Sequence, residues 1–169
     1  MLEVKRALEK FARNVVKVSR SNLTKGKKNF SKELYNSLGY DLRVHPKSFS
    51  LTFEMEEYGA YQDKGVRGIG GVRKTTSKFN RRNNKGKMWR QKGGNSPFSF
   101  KEGRKPSVKH FKDWSIAKGL SPYAVREAVY HQGIKPSLFF TKPFTKHFKH
   151  LPDGLVEAYG LTIENILTK

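Results

Sequence analysis

The chain contains no cysteine. Disulfides and cysteine-ligated zinc are therefore excluded, and a reducing compartment suits the composition. Acidic residues are also scarce. Fourteen Asp and Glu stand against 35 Lys and Arg, giving a formal net charge of +21. Enzymes that cut nucleic acids usually hold magnesium with several carboxylates. Here the acids are dispersed, and none forms a D-x-D or E-x-K cluster beside a histidine. No apolar run approaches the roughly 20 residues needed to span a bilayer. The N-terminus alternates apolar and charged residues (MLEVKRALEKFARNVVKV) instead of offering the apolar core of a secretory signal. No membrane partner is expected. The phosphate-cradling pattern GxxxxGK[ST] does not occur, and GVRGIGG at 65–71 lacks the strand-to-helix context that gives a glycine motif meaning. His147-x-x-His150 places two imidazoles on one helical face. A zinc site needs a third ligand, and Lys146 and Lys149 disfavour a cation. Asp63, followed by Lys64-Gly65, reads as a loop hydrogen-bonder. No catalytic site, metal or cofactor is expected.

What is present is positive charge. A +21 chain with a pI near 10.2 carries far more than solubility requires and implies an anionic partner: nucleic acid, an acidic protein surface or anionic lipid. The length suits one domain over 1–169 with a single core.

The expected fold class is α+β: an antiparallel sheet of about four strands packed by a long N-terminal helix and a C-terminal helix. A helix is predicted from residue 2 to about 19. Its stripe is Val4, Leu8, Phe11, Val15 and Val18, widened by Ala7, Ala12 and Val16. Lys5, Arg6, Lys10, Arg13 and Lys17 fall on the other side. They form either an ordinary solvated face or a surface for a phosphate backbone or lipid. Residues 19–29 read as a polar break. Ser31 is expected to cap a short helix at 32–37 that Gly39 ends. Strands are expected at 40–44 and 48–55. Phe49, Leu51 and Phe53 alternate with polar residues in the second, and His45-Pro46-Lys47 makes the turn.

Residues 62–106 have no usable periodicity and read as an extended basic loop, entered from a strand at Tyr58. Between Lys64 and Lys105 lie 14 Lys/Arg and one acid, Glu102. Phe79, Trp89, Phe98 and Phe100 are interleaved. Basic residues with aromatics suit single-stranded nucleic acid, with charges on the backbone and rings on bases. The plainer reading is a loop whose aromatics dock on a neighbouring subunit. Part of it is expected to form a hairpin, ordered in an assembly. A helical hairpin is inserted at 107–133, with Ser107 and Ser121-Pro122 as starts, Gly119 and Gly133 as stops, and Phe111, Trp114 and Ile116 inward. Phe140, Phe144, Phe148 and Leu151 share a core stripe, with Pro143 in the first turn of a helix beginning near Thr141. The tail, 153–167, carries a helical segment to Tyr159, a break at Gly160 and a short helix from Thr162.

Three segments carry a family resemblance. Tyr58-Gly59-Ala60-Tyr61-Gln62-Asp63-Lys64-Gly65 resembles the Tyr-x-x-Tyr-[acid/amide]-x-Gly stretch of tailed-phage tail-completion and head–tail joining proteins. Gly133-Ile134-Lys135-Pro136-Ser137-Leu138-Phe139-Phe140 is similar to their Pro-x-x-Phe-[Phe/Leu] helix opening, and Leu34-Tyr35-Asn36-Ser37-Leu38 to their Leu-x-x-Ser-[Ile/Leu]. Each motif is short, and their order along nearly the whole chain makes the resemblance. Lys64-Gly65-Val66 stands where many members carry Gly-Thr. The enlarged basic loop and helical hairpin are further departures. The resemblance implies a non-enzymatic virion protein, assembled in the host cytoplasm. It would form a ring of six or twelve copies at the neck or tail, between connector or portal-side proteins and the tail tube. A ring lumen holding DNA rewards inward cations with sequence-independent phosphate contacts. The candidates are Arg67, Arg73, Lys74, Lys78, Arg81, Arg82, Lys85, Lys87, Arg90 and Lys92, with Trp89, Phe98 and Phe100 against the next subunit. Other readings from the residues are a monomeric basic nucleic-acid-binding protein, ribosome-associated or single-strand-binding, and a nucleic-acid enzyme using Asp63 or His147.

Overall fold

A computed structural model describes residues 2–27, 30–45, 48–73, 87–151, 153 and 155. The fold is α+β. The 1–169 span is built from two compact units: residues 1–59 with 138–169, and residues 60–137.

In the first unit, α1 (Leu2–Lys25) is longer than the apolar stripe predicts. It runs through the expected break because the stripe continues by steps of four from Val15 to Ser19 and Leu23, all three fully buried. Ser19 is a polar residue in a core position, and its hydroxyl has no partner among the described residues. The short helix α2 (Glu33–Ser37) is not capped by Ser31. The Ser31 hydroxyl donates to Glu33 instead, 3.1 Å away, and Lys32 takes a left-handed conformation at the cap position. The orphan Leu34 N–H finds its acceptor in the Tyr58 hydroxyl at 3.0 Å.

The strands β1 (Gly39–His45) and β2 (Ser48–Glu54) pair antiparallel as expected. Tyr40, Leu42 and Val44 face Phe53, Leu51 and Phe49 across the ladder, and all six are half-buried while the residues between them are exposed. The turn at 46–47 lies outside the described residues, as does nearly all of the tail helix. The helix α6 (Thr141–Phe148) opens where the proline predicts, and Phe140, Phe144, Phe148 and Leu151 are all buried. Phe11 of α1 and Phe53 of β2 meet each other and these phenylalanines edge to face, with ring centroids 5.2–6.3 Å apart. The Asn22 amide donates to the Phe139 carbonyl at 3.2 Å, tying α1 to the segment before α6.

The segment Tyr58–Lys64 is not a strand exit but a helix, α3, and the chain leaves the first unit within it. The second unit contains β3 (Val66–Arg67), β4 (Val72–Arg73), β5 (Lys87–Met88), a 3-10 turn at Val108–Phe111, α4 (Lys112–Ala117), α5 (Pro122–Gln132) and β6 (Gly133–Ile134). Among the described residues the strands do not join one sheet. They form three antiparallel pairs, β1–β2, β3–β6 and β4–β5. The other edge of β3 makes one parallel bridge, from Arg67 to Ser99. The helical hairpin lies where it is expected, and Ser107 accepts from the Lys109 N–H as its cap. Trp114 and Ile116 point outward rather than inward, at 39% and 60% exposure. The inward position of α4 is Ser115, whose hydroxyl donates to the Lys112 carbonyl.

Two substitutions test the first core in opposite directions. Phe144→Ala should cost about 3–5 kcal/mol in urea unfolding, as expected for a buried phenylalanine. Ser19→Ala removes a buried hydroxyl without a partner and adds helix propensity, and should raise stability by about 1 kcal/mol.

Candidate nucleic-acid interface

The basic segment is held by one end of α5. The last carbonyls of a helix have no intrahelical donor. Here the basic segment supplies the missing N–H groups. Ile69 N–H donates to the Tyr130 carbonyl at 3.1 Å, Gly70 N–H to the His131 carbonyl at 2.9 Å and Lys92 N–H to the Gln132 carbonyl at 2.7 Å. The Gln91 side-chain amide adds a second donor to His131, at 2.8 Å. The His131 ring faces the Gly70 carbonyl through Nδ1 at 2.7 Å. A carbonyl only accepts, so Nδ1 carries the hydrogen.

The rest of the segment is laced onto β3. Arg67 donates to the Phe98 carbonyl and accepts from Phe100 N–H, and the Ser96 hydroxyl donates to the Gly65 carbonyl at 2.7 Å. Two glycines permit this closeness. A Cβ on either Gly93 or Gly133 would collide with the Val66 carbonyl oxygen, and Gly133 also has φ +80°. The extended loop expected over 62–106 is therefore, among its described residues, a fixed chain whose backbone groups are bonded at many points.

Side chains reinforce the attachment. Glu127 gathers two cations, Lys105 at 2.9 Å and Arg126 at 2.9 Å, and lies 3.7 Å from the His131 ring. The Lys105 hydrogen bond, helped by Arg126, holds the Glu127 carboxyl below its ordinary range and outweighs burial. The Tyr130 hydroxyl accepts from Gly103 N–H and donates to the Lys101 carbonyl.

The expected site residues fall into distinct places. Arg67, Arg90 and Lys92 are exposed on the fixed part of the segment. Arg73 and Lys87 are paired in the β4–β5 ladder. Lys74, Lys78, Arg81, Arg82 and Lys85 lie outside the described residues. The three aromatics assigned to a neighbouring subunit are half-buried against their own unit. Trp89 stacks on His131 with centroids 5.4 Å apart and planes 4° apart, Phe98 meets Tyr61 edge-on at 4.7 Å, and Phe100 meets Tyr130 at 6.0 Å.

The motif residues divide between the units. Tyr58, Gly59, Phe139 and Phe140 belong to the first, whereas Tyr61, Gly65 and Pro136 belong to the second. Both motif segments therefore contain a crossing of the chain between units. The two crossings are pinned together by Ser137, whose N–H donates to the Gln62 and Asp63 carbonyls and whose hydroxyl donates to Gln62 at 2.6 Å. Gly65, at φ +75°, sits where a Cβ would lie 2.6 Å from the Ile134 carbonyl oxygen.

Among the described residues no group of three or more His, Asp or Glu could hold a metal ion, and no helix is long and apolar enough to cross a membrane. His147 is half-buried and His150 exposed. Burial, then Lys146 and His150, hold the His147 imidazole below its usual pKa. The receptor end of α5 carries no motif. Its only trace in the sequence is the set of glycines at 65, 68, 93 and 133, each at a close backbone approach. No family model, curated protein or solved structure matches the chain.

Two outcomes are expected here. Gly93→Ala should cut hydrogen-exchange protection of the Ile69, Gly70 and Lys92 amides by about tenfold or more, since the joint must open to admit a methyl. The depressed Glu127 carboxyl contributes stability that is present above its ordinary pKa of 4.5 and is lost as pH falls through the folded value. Protection of Gly103 should therefore fall on acidification from about that pH downward, and Glu127→Gln should flatten the dependence.

Proposed function

We propose that this protein is a non-enzymatic structural subunit of a tailed-phage neck or tail, assembling as a ring that joins or closes the tail and meets DNA along its channel. The observation that carries this reading is the joint between the two segments that resemble tail-completion proteins. They lie about seventy residues apart in the chain, yet Ser137 of one bonds to Gln62 and Asp63 of the other, and the β3–β6 pair continues the joint just beyond. Residues that recur in order acquire a shared purpose when they make one contact.

The display of charge is compatible with a channel lining. Among the described residues of the basic segment many backbone groups are held by internal hydrogen bonds, while Arg67, Arg90 and Lys92 are exposed. Cations on a fixed scaffold suit sequence-independent phosphate contacts, because they neither read bases nor need to fold around them. Several copies of a +21 subunit repel one another strongly, so a ring requires DNA or an acidic neighbouring ring to offset the charge.

The test is the solution mass by light scattering, at low and high salt, with and without duplex DNA. Six or twelve copies, formed alone or on addition of DNA, are expected. A protein that remains monomeric under every condition, and prefers particular single-stranded sequences, would overturn the ring and favour a free nucleic-acid-binding module.

A further inference from the structure

A second positively charged site lies in the first unit, away from the basic segment in sequence. Along the outer side of α1, Arg6, Lys10, Arg13, Lys17 and Arg20 follow one another at steps of four, three, four and three residues. That spacing sets five cations in one row over roughly 21 Å of helix. Two adjoining grooves run beside the row and share Arg13. The larger, about 460 Å³, is bounded by α1, α2 and β1 and includes Arg13, Lys17, Arg20, Ser21, Tyr35 and Tyr40.

An ordinary solvated face would leave its arginines free to wander. Here one of them is anchored and a second makes contacts to its neighbours. The Arg20 guanidinium sits over the Tyr35 ring at 5.3 Å and donates to the Leu38 carbonyl at 2.8 Å. Its Nε–H is buried and has no acceptor among the described residues. The Arg13 Nε–H reaches the Tyr40 hydroxyl at 3.4 Å, and its other nitrogen lies 3.4 Å from Glu9. Each arginine thus meets a tyrosine from the segment facing α1, and for Arg20 part of the ordering entropy of a long side chain is spent before any ligand arrives. Lys17 stands exposed between them.

We propose that this groove binds the phosphodiester backbone of a nucleic-acid strand lying along α1, with Arg13, Lys17 and Arg20 as the phosphate-binding residues. The row favours a linear polyanion over a small one, since a single phosphate group needs cations that converge, and these are strung along an axis. Planar guanidinium forks match phosphate oxygens, and an ammonium between them supplies a point charge. The inference stands apart from the ring reading: it concerns one subunit and a different surface.

The test uses the full chain and two fluorescent probes of equal length, a single strand and a duplex, with binding measured across a salt series. Arg13→Gln and Lys17→Gln alter exposed side chains and leave the core untouched. Arg20→Lys keeps the charge but loses the planar fork. Each Gln variant should weaken binding several-fold and reduce the salt slope by about 0.9 for the duplex or about 0.7 for the single strand. The probe showing the larger change identifies the form of nucleic acid held. Lys5→Gln, an α1 cation off the row, is the control. Equal behaviour of Lys5→Gln and Lys17→Gln would overturn the site. So would a poly-glutamate peptide that binds the groove, judged by loss on Arg13→Gln, while neither nucleic acid does. A monomer that still shows the row-specific loss retires the ring and keeps the groove.

Discussion

The second unit depends on the unfinished end of one helix. α5 stops at Gly133, and its last carbonyls, from Tyr130, His131 and Gln132, would face water or nothing. The chain brings donors from residues 69, 70 and 92 to them. These bonds are what turn a glycine-punctuated, strongly basic stretch into a structure. A segment so rich in like charge has little apolar surface to bury and every reason to expand. Backbone hydrogen bonding is indifferent to that repulsion, since it uses groups every residue carries. Side chains can then remain outside, and the exposed cations can be dense without costing the fold its cohesion.

The first unit is held differently. Its cohesion comes from five phenylalanine rings meeting edge to face between α1, β2 and α6. That cluster leaves the opposite side of α1 free for cations, and the helix divides cleanly between the two demands. One unit keeps its charge apart from an aromatic core, and the other keeps its charge apart from a backbone lattice. Both solve the same problem, which is to carry many lysines and arginines on a small chain.

Most of the first unit was legible in the sequence because its signals are periodic. The alternation of Phe49, Leu51 and Phe53 marks β2, and Phe140, Phe144 and Phe148 mark α6. Leu23 could have extended α1, but Ser19 interrupts the stripe with a hydroxyl that is buried nonetheless. Much of the second unit was not legible. α3 has seven residues including a glycine, too few for a period to accumulate. Trp114 and Ile116 are large and apolar, yet in a six-residue helix their spacing does not say which side is covered. The attachment of the basic segment to α5 leaves little side-chain pattern, since most of its bonds join main-chain groups distant in sequence, with only the Gln91 amide and the His131 ring added from side chains. The candidate cations could be named from charge alone; which of them stand on a fixed scaffold could not. The groove beside α1 combines a helix face, which was readable, with two tyrosines brought to it by the fold, which were not.

The pinning of Gln62 and Asp63 to Ser137 has a topological meaning. Residues 60–137 thus form a cassette whose two ends are already side by side. A cassette of this kind can be lengthened, shortened or exchanged without reordering the core that hosts it, because the host chain sees only a short gap. The aromatic core and the charged surface are therefore free to change at separate rates. A lineage could rewrite the charge and length of the insert while keeping the framework that carries it.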